Sequence, residues 1–246
     1  MEASLARRAL AELVGTMLLV AVVVGSGIAA QRLSPGDLGL QLLENAVATA
    51  LGLVAIILAV GPVSGAHLNP VVSLADRVFG GISTRELGVY TAAQIIGACL
   101  GCMLANLMYS IPAVDWSTTG RSGGGIWLAE AVATAGLLLV VFGVVRSGRT
   151  FVAPFAVGAY IGAAYFFTSS TSFANPAVTV GRMFSDTFAG IDPTSVPAFI
   201  AFQVVGAVVA VGLVRLLYPD IGRDLPDLIV AHHDTGATKT STPRTD

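Results

Sequence analysis

Charge is what this chain of 246 residues has least of: Asp, Glu, Lys and Arg together make up 11% of it, against roughly 25% in soluble domains. That scarcity argues against a soluble fold. With 54% apolar residues and a mean hydropathy of +0.80, the chain reads as a membrane protein. The net charge is −2 and the 13 Lys and Arg are scattered, so no basic patch is present to hold nucleic acid. Cysteine is nearly absent too. Cys99 and Cys102 sit at i and i+3 inside an apolar run with no second Cys or His pair nearby, a setting for packing rather than for disulfide, redox or metal chemistry. Neither a nucleophile–base pair nor a metal-ligating cluster appears, so no enzyme, cofactor or metal site is expected.

What the chain does have is long apolar runs, at about 9–30, 38–60, 87–108, 126–145, 151–167 and 196–218. Each is long enough to cross a bilayer. The first follows Arg7 and Arg8 as a signal peptide would, but it extends to Ala30 and contains Glu12, so it reads as a retained span. Placing both termini in the cytoplasm puts Arg7, Arg8, Arg77, Arg85, Arg146, Arg149, Arg215, Arg223, Lys239 and Arg244 inside and only Arg32, Arg121 and Arg182 outside. This satisfies the positive-inside rule, and the expected location is the cell (inner) membrane, crossed several times, with both termini cytoplasmic. The expected organisation is a cytoplasmic N-terminus at 1–8, a membrane domain at 9–218 and a disordered cytoplasmic tail at 219–246. Within that tail, His232, His233 and Asp234 are more readily solvated than metal-bound.

The membrane part repeats itself. His67-Leu68-Asn69-Pro70-Val71 recurs as Phe173-Ala174-Asn175-Pro176-Ala177, and Asn-Pro occurs nowhere else. Glu12 with Thr16 in the first span recurs as Glu130 with Thr134 in the fourth, and the Gln94-Ile95-Ile96-Gly97 run of the third span as Gln203-Val204-Val205-Gly206 in the sixth. The repeats run over about 9–110 and 126–218. Because each contains three spans, the second enters the membrane from the opposite side, which gives inverted repeats.

Asn is a preferred N-cap and Pro suits the first helical position, so each motif starts a helix. The apolar run after each motif ends near Phe79 and Phe184, so each helix is on the order of 16 Å long, about half the hydrocarbon thickness. The predicted fold is thus an all-α membrane protein of six transmembrane helices plus two re-entrant half-helices, whose N-termini meet at the midplane with Asn69 facing Asn175. Irregular backbone at that depth, at 61–68 and 169–174, is tolerated only where it is buried or lines a water-filled cavity. Its carbonyls should form a ladder of acceptors, and each Asn that caps its own helix keeps two amide N–H donors free. Such a lining suits a neutral polar solute, while the paired helix N-termini repel cations.

This pattern resembles the aquaporin or major intrinsic protein family over about residues 9–218. The resemblance implies a homotetramer in the lipid bilayer, one pore per subunit, passive flow of small neutral solutes, and a role for Glu12 and Glu130 in holding the pore loops. In typical members the residue after Asn-Pro-Ala is a filter arginine, but here it is Val178. The remaining filter positions fall at Thr49, Ala163 (Ala164 if the register slips) and Ser172. All are small and uncharged, which predicts a wider, less polar constriction. The run from Asn175 to Arg182 is similar to a bacterial branch associated with arsenic resistance, which favours metalloid hydroxides or organoarsenicals beside glycerol and water.

Alternatives remain at several points. A plain water or glycerol channel fits the same residues. An ion-coupled transporter would use Glu12 and Glu130 as its midplane carboxylates, and a junction protein would carry a filter of bulky residues. His67 is expected to lend its carbonyl to the pore and its side chain to the wall, with a pH gate as the other reading. Arg182, four residues beyond Val178, could reach back to the mouth but is expected to face the loop or solvent. Glu44 and Asn45 could colour the outer vestibule, or bond locally or across a subunit interface.

Overall fold

The computed structural model describes residues 3–219, so the rest of the tail, with His232, His233 and Asp234, lies outside the described residues. The helices are α1 (Leu5–Leu33), α2 (Leu38–Ser64), α3 (Pro70–Phe79), α4 (Thr84–Met108), α5 (Gly124–Arg146), α6 (Ala153–Phe167), α7 (Pro176–Gly181) and α8 (Val196–Leu217). Six of the helical segments are long and apolar enough to span a membrane. α1 and α4 begin ahead of the apolar stretches of the sequence because polar caps carry their first turns past the hydrocarbon. Ser4 caps α1, Asp37 caps α2, and Ser83 with Glu86 forms a reciprocal capping box on α4.

The two short helices are α3 and α7. Asn69 and Asn175 are their N-caps and Pro70 and Pro176 their first residues, as the capping chemistry dictates. After Gly181, α7 tightens into a 3₁₀ turn at Arg182–Phe184, so both segments end where the apolar runs do.

The inverted repeat is visible in the packing. In the first half α1 lies against α2 and α4; in the second α5 lies against α6 and α8; the halves meet along α2 and α6. Each half-helix also reaches across, α3 to α8 and α7 to α4. The α1/α4 and α5/α8 crossings depend on glycine. A Cβ on Gly97 would fall 2.3 Å from the Leu13 carbonyl oxygen, one on Gly101 2.1 Å from that of Met17, and one on Gly206 2.3 Å from that of Ala131. No side chain can yield there, because the obstacle is backbone. Gly206→Ala is therefore expected to push α8 off α5 and cost on the order of 1–3 kcal/mol, checked as a fall in the thermal midpoint of the purified protein. Gly212→Ala, where a Cβ meets nothing, should leave the midpoint in place.

Candidate functional site

The segments leading into α3 and α7 are strained in the same way. Gly65, Ala66 and Leu68 have φ of 86°, 49° and 51°, and their counterparts Thr171, Ser172 and Ala174 have 62°, 52° and 49°. Left-handed backbone at non-glycine residues costs roughly 1–3 kcal/mol each and persists only where neighbours enforce it. The enforcing groups are the two buried glutamates. Glu12 accepts from the backbone N–H of His67 and Leu68 at 2.9 and 2.6 Å, from Ser64 Oγ at 2.6 Å and from Gln94 Nε2 at 2.7 Å. Glu130 accepts from the N–H of Phe173 and Ala174, both at 2.9 Å, and from Gln203 Nε2 at 2.6 Å.

The glutamines then bridge onward. Gln94 donates to Ser73 Oγ and Gln203 to Thr179 Oγ1, while each hydroxyl donates to the carbonyl of the motif asparagine four residues earlier. Ser73 and Thr179 are functional positions that sequence reading passed over. Their signal was a hydroxyl four residues after each Asn-Pro.

At the centre, Asn69 Oδ1 accepts from the Val71 N–H, and Asn175 Oδ1 from those of Ala177 and Val178. Each amide also donates across the junction, Asn69 Nδ2 to the Ala174 carbonyl and Asn175 Nδ2 to the Leu68 carbonyl, both at 2.8 Å. The expectation of two free donors per asparagine is thus corrected. One N–H ties the halves together and one remains for a solute.

A cavity of about 110 Å³, room for several waters, passes this junction. It is lined by the irregular segment from Gly65 to Asn69 with Ser172, Phe173 and Asn175, and by the aliphatic residues Leu19, Val23, Leu53, Ile57, Leu137, Val141 and Ile161. Of the expected filter residues, Thr49, Ser172 and Val178 line it. Ala163 does not, nor does Ala164. On α6 the inward positions are Val157, Ile161 and Tyr165, four apart; Ala163 lies about 200° around the helix from Ile161 and is exposed on its outer face. Tyr165 lines the cavity instead, its hydroxyl 3.1 Å from that of Thr49.

Arg182 overturns its expectation more sharply. It is 2% exposed and lines the cavity instead of facing loop or solvent, because its Nε donates to the Ala189 carbonyl and its guanidinium lies over the Phe173 ring, 3.5 Å from the centroid. The lining is therefore neither uniformly small nor uncharged. His67 lines the cavity with Nδ1 3.0 Å from Ser73 Oγ and Nε2 3.7 Å from Asp76. Glu44 and Asn45 bond locally: Ser34 donates to Glu44, and Asn45 donates to the Val23 carbonyl and Ser26.

Residues 1–174 and 155–242 match the family model described as Major intrinsic protein. The chain belongs to that family. Among relatives of the major intrinsic protein family, it is 47% identical over 216 residues to Aquaglyceroporin AqpS of Rhizobium meliloti (strain 1021), covering 88% of this chain and 92% of that protein. It is also 31% identical to Probable aquaporin AqpM of Archaeoglobus fulgidus, covering 88% of this chain and 99% of the other. The X-ray structure of the aquaglyceroporin from Plasmodium falciparum superposes with a TM-score of 0.70 at 23% identity, over 89% of this chain and 99% of that one, a likeness of fold. As a major intrinsic protein, the chain is a multi-pass membrane channel and not an enzyme.

Proposed function

We propose that this channel passes small uncharged solutes broader than water: glycerol and water, and beyond them metalloid hydroxides or organoarsenicals. The observation that carries the reading is the mixed lining of the cavity, to which the irregular segments, Asn69 and Asn175 contribute beside aliphatic residues and Val178. A solute that carries both oxygens and carbon or a soft metalloid finds polar and apolar partners in such a lining. Thr49, Ser172, Val178 and Tyr165 form the constriction, Asn69 and Asn175 the central donors, and Glu12, Glu130 and His67 the loop support, within a channel domain at 9–218.

The ion-coupled alternative is disfavoured because both carboxylates are committed to the loops: Glu12 accepts four hydrogen bonds and Glu130 three from loop and glutamine donors, so a coupling ion would compete with the bonds that hold the pore backbone. Homotetrameric assembly in the inner membrane with cytoplasmic termini completes the reading. Stopped-flow light scattering on proteoliposomes with each solute in turn tests the proposal. Val178→Arg should slow glycerol and arsenous acid at least tenfold while water flow stays within a few-fold, since a guanidinium narrows the ring and adds donors that water can still satisfy. Equal loss of water and glycerol flow would remove Val178 from the constriction.

A further inference from the structure

Arg182 is a buried cation without a counter-ion. Among the described residues no carboxylate lies within salt-bridge distance of it, the arginine–carboxylate pair there being Arg8 with Glu86. Its Nε is bonded to the Ala189 carbonyl, and among the described residues neither Nη has a hydrogen-bond partner. Phe173 lies against one face of the guanidinium. On the same ring sits Arg121, 5.1 Å from the centroid, its Nε and Nη2 spent on the carbonyls of Gly190 and Phe188. The titratable groups that act on Arg182 are Tyr165, Arg121, Glu130 and Cys102, and Glu130 is already occupied by its loop donors. An unpaired charge in a buried site is costly unless something solvates it. Here the open side of the guanidinium is the cavity it lines, so its positive field is directed into the passage.

Position fixes what that field does. Four residues along α7 and the turn that follows it place the Cα of Arg182 roughly 6 Å beyond that of Val178, on the side away from Asn175. We propose that Arg182 is the charge-selectivity residue of this channel. It excludes cations from the mouth while Val178, one turn deeper, leaves the constriction wide for neutral solutes. Width and charge rejection are thereby separated along the axis, so the passage can be broad without being leaky to ions. Rigidity is supplied by the stack on Phe173 and the bond to Ala189. At about 5 Å and an effective dielectric constant near 20, a unit charge lowers the occupancy of a second like charge by on the order of a hundredfold.

The inference rests on the chain being a neutral-solute channel, and the test separates the two. Urea and guanidinium are near-isosteric and differ by one charge, so their flux ratio into proteoliposomes reads charge selection independently of pore width. Wild-type protein should pass urea above empty liposomes and exclude guanidinium; no urea or glycerol flux would sink the channel reading itself. In Arg182→Gln the guanidinium-to-urea ratio should rise at least tenfold, and an unchanged ratio would overturn the proposal. Arg182→Lys keeps a charge on a flexible stem and serves even if the glutamine variant does not fold. It should exclude guanidinium at pH 7 and admit it as the pH is raised to 10 and the lysine loses its proton, whereas wild type stays closed to it. A lysine variant that leaks at pH 7, or one whose exclusion ignores pH, would show that Arg182 acts by packing and not by charge.

Discussion

Glu130→Leu is expected to abolish solute flux and to lower the thermal midpoint by roughly 10 °C or more. The leucine fills a similar volume but leaves three donors in a dry site: the N–H groups of Phe173 and Ala174 and the amide of Gln203, all of which now end on the carboxylate. Each orphaned buried donor costs about 1–3 kcal/mol, so the sum is a large fraction of a typical folding free energy of roughly 5–15 kcal/mol. The loss is amplified because these bonds hold Thr171, Ser172 and Ala174 in left-handed backbone. Once released, the segment is free to relax to ordinary φ values and carry its carbonyls, with Ser172 and Phe173, away from the cavity. Glu12→Leu should do the same on the other side of the junction, where Glu12 holds Ser64, His67, Leu68 and Gln94. Glu130→Gln is the milder variant: one amide oxygen still accepts from the loop, but the amide nitrogen confronts a second N–H, so a smaller fall is expected. Thermal midpoints by tryptophan fluorescence and glycerol flux in proteoliposomes measure both effects. A Glu130→Leu protein that keeps its midpoint and its flux would mean the loop is held by packing alone.

The parts of this architecture that local chemistry decides were legible in the sequence. Asn followed by Pro both caps and starts a helix, so α3 and α7 could be placed from two dipeptides, and the matched Glu and Gln positions revealed the repeat before any contact was known. What could not be read was direction. Which side of α6 faces the passage depends on how that helix is rotated against α2, and a comparison that counts residues back from the motif reached Ala163 when the inward row is Val157, Ile161 and Tyr165. The heading of Arg182 depends on the Ala189 carbonyl and the Phe173 ring, two partners from different segments that are brought together only by the fold. The asparagine amides erred for the same reason. Their caps are local and were foreseen, whereas the bonds to Ala174 and Leu68 join residues more than 100 positions apart.

Those two long-range bonds make Asn175→Asp the more discriminating substitution. Aspartate is as good an N-cap as asparagine, so its Oδ1 should keep accepting from Ala177 and Val178 and α7 should stay formed. The change falls on the other atom. Nδ2 now donates to the Leu68 carbonyl at 2.8 Å; a carboxylate oxygen in that place faces another acceptor, and a full negative charge stands between two helix N-termini at the centre of the passage. Glycerol and water flux should fall by about tenfold or more, the equivalent of one orphaned bond at the junction, and cations that the wild type rejects should become detectable in the same vesicles. Acid should relieve the lesion, because protonation returns an O–H donor toward Leu68 and removes the charge, so flux in the variant rises as pH is lowered while that of the wild type does not. Asn69→Asp, opposite Ala174, should behave alike, since the repeat places the same bond on both sides. If Asn175→Asp instead matches wild type in flux and ion rejection at every pH, the asparagine pair does not form the centre of the pore.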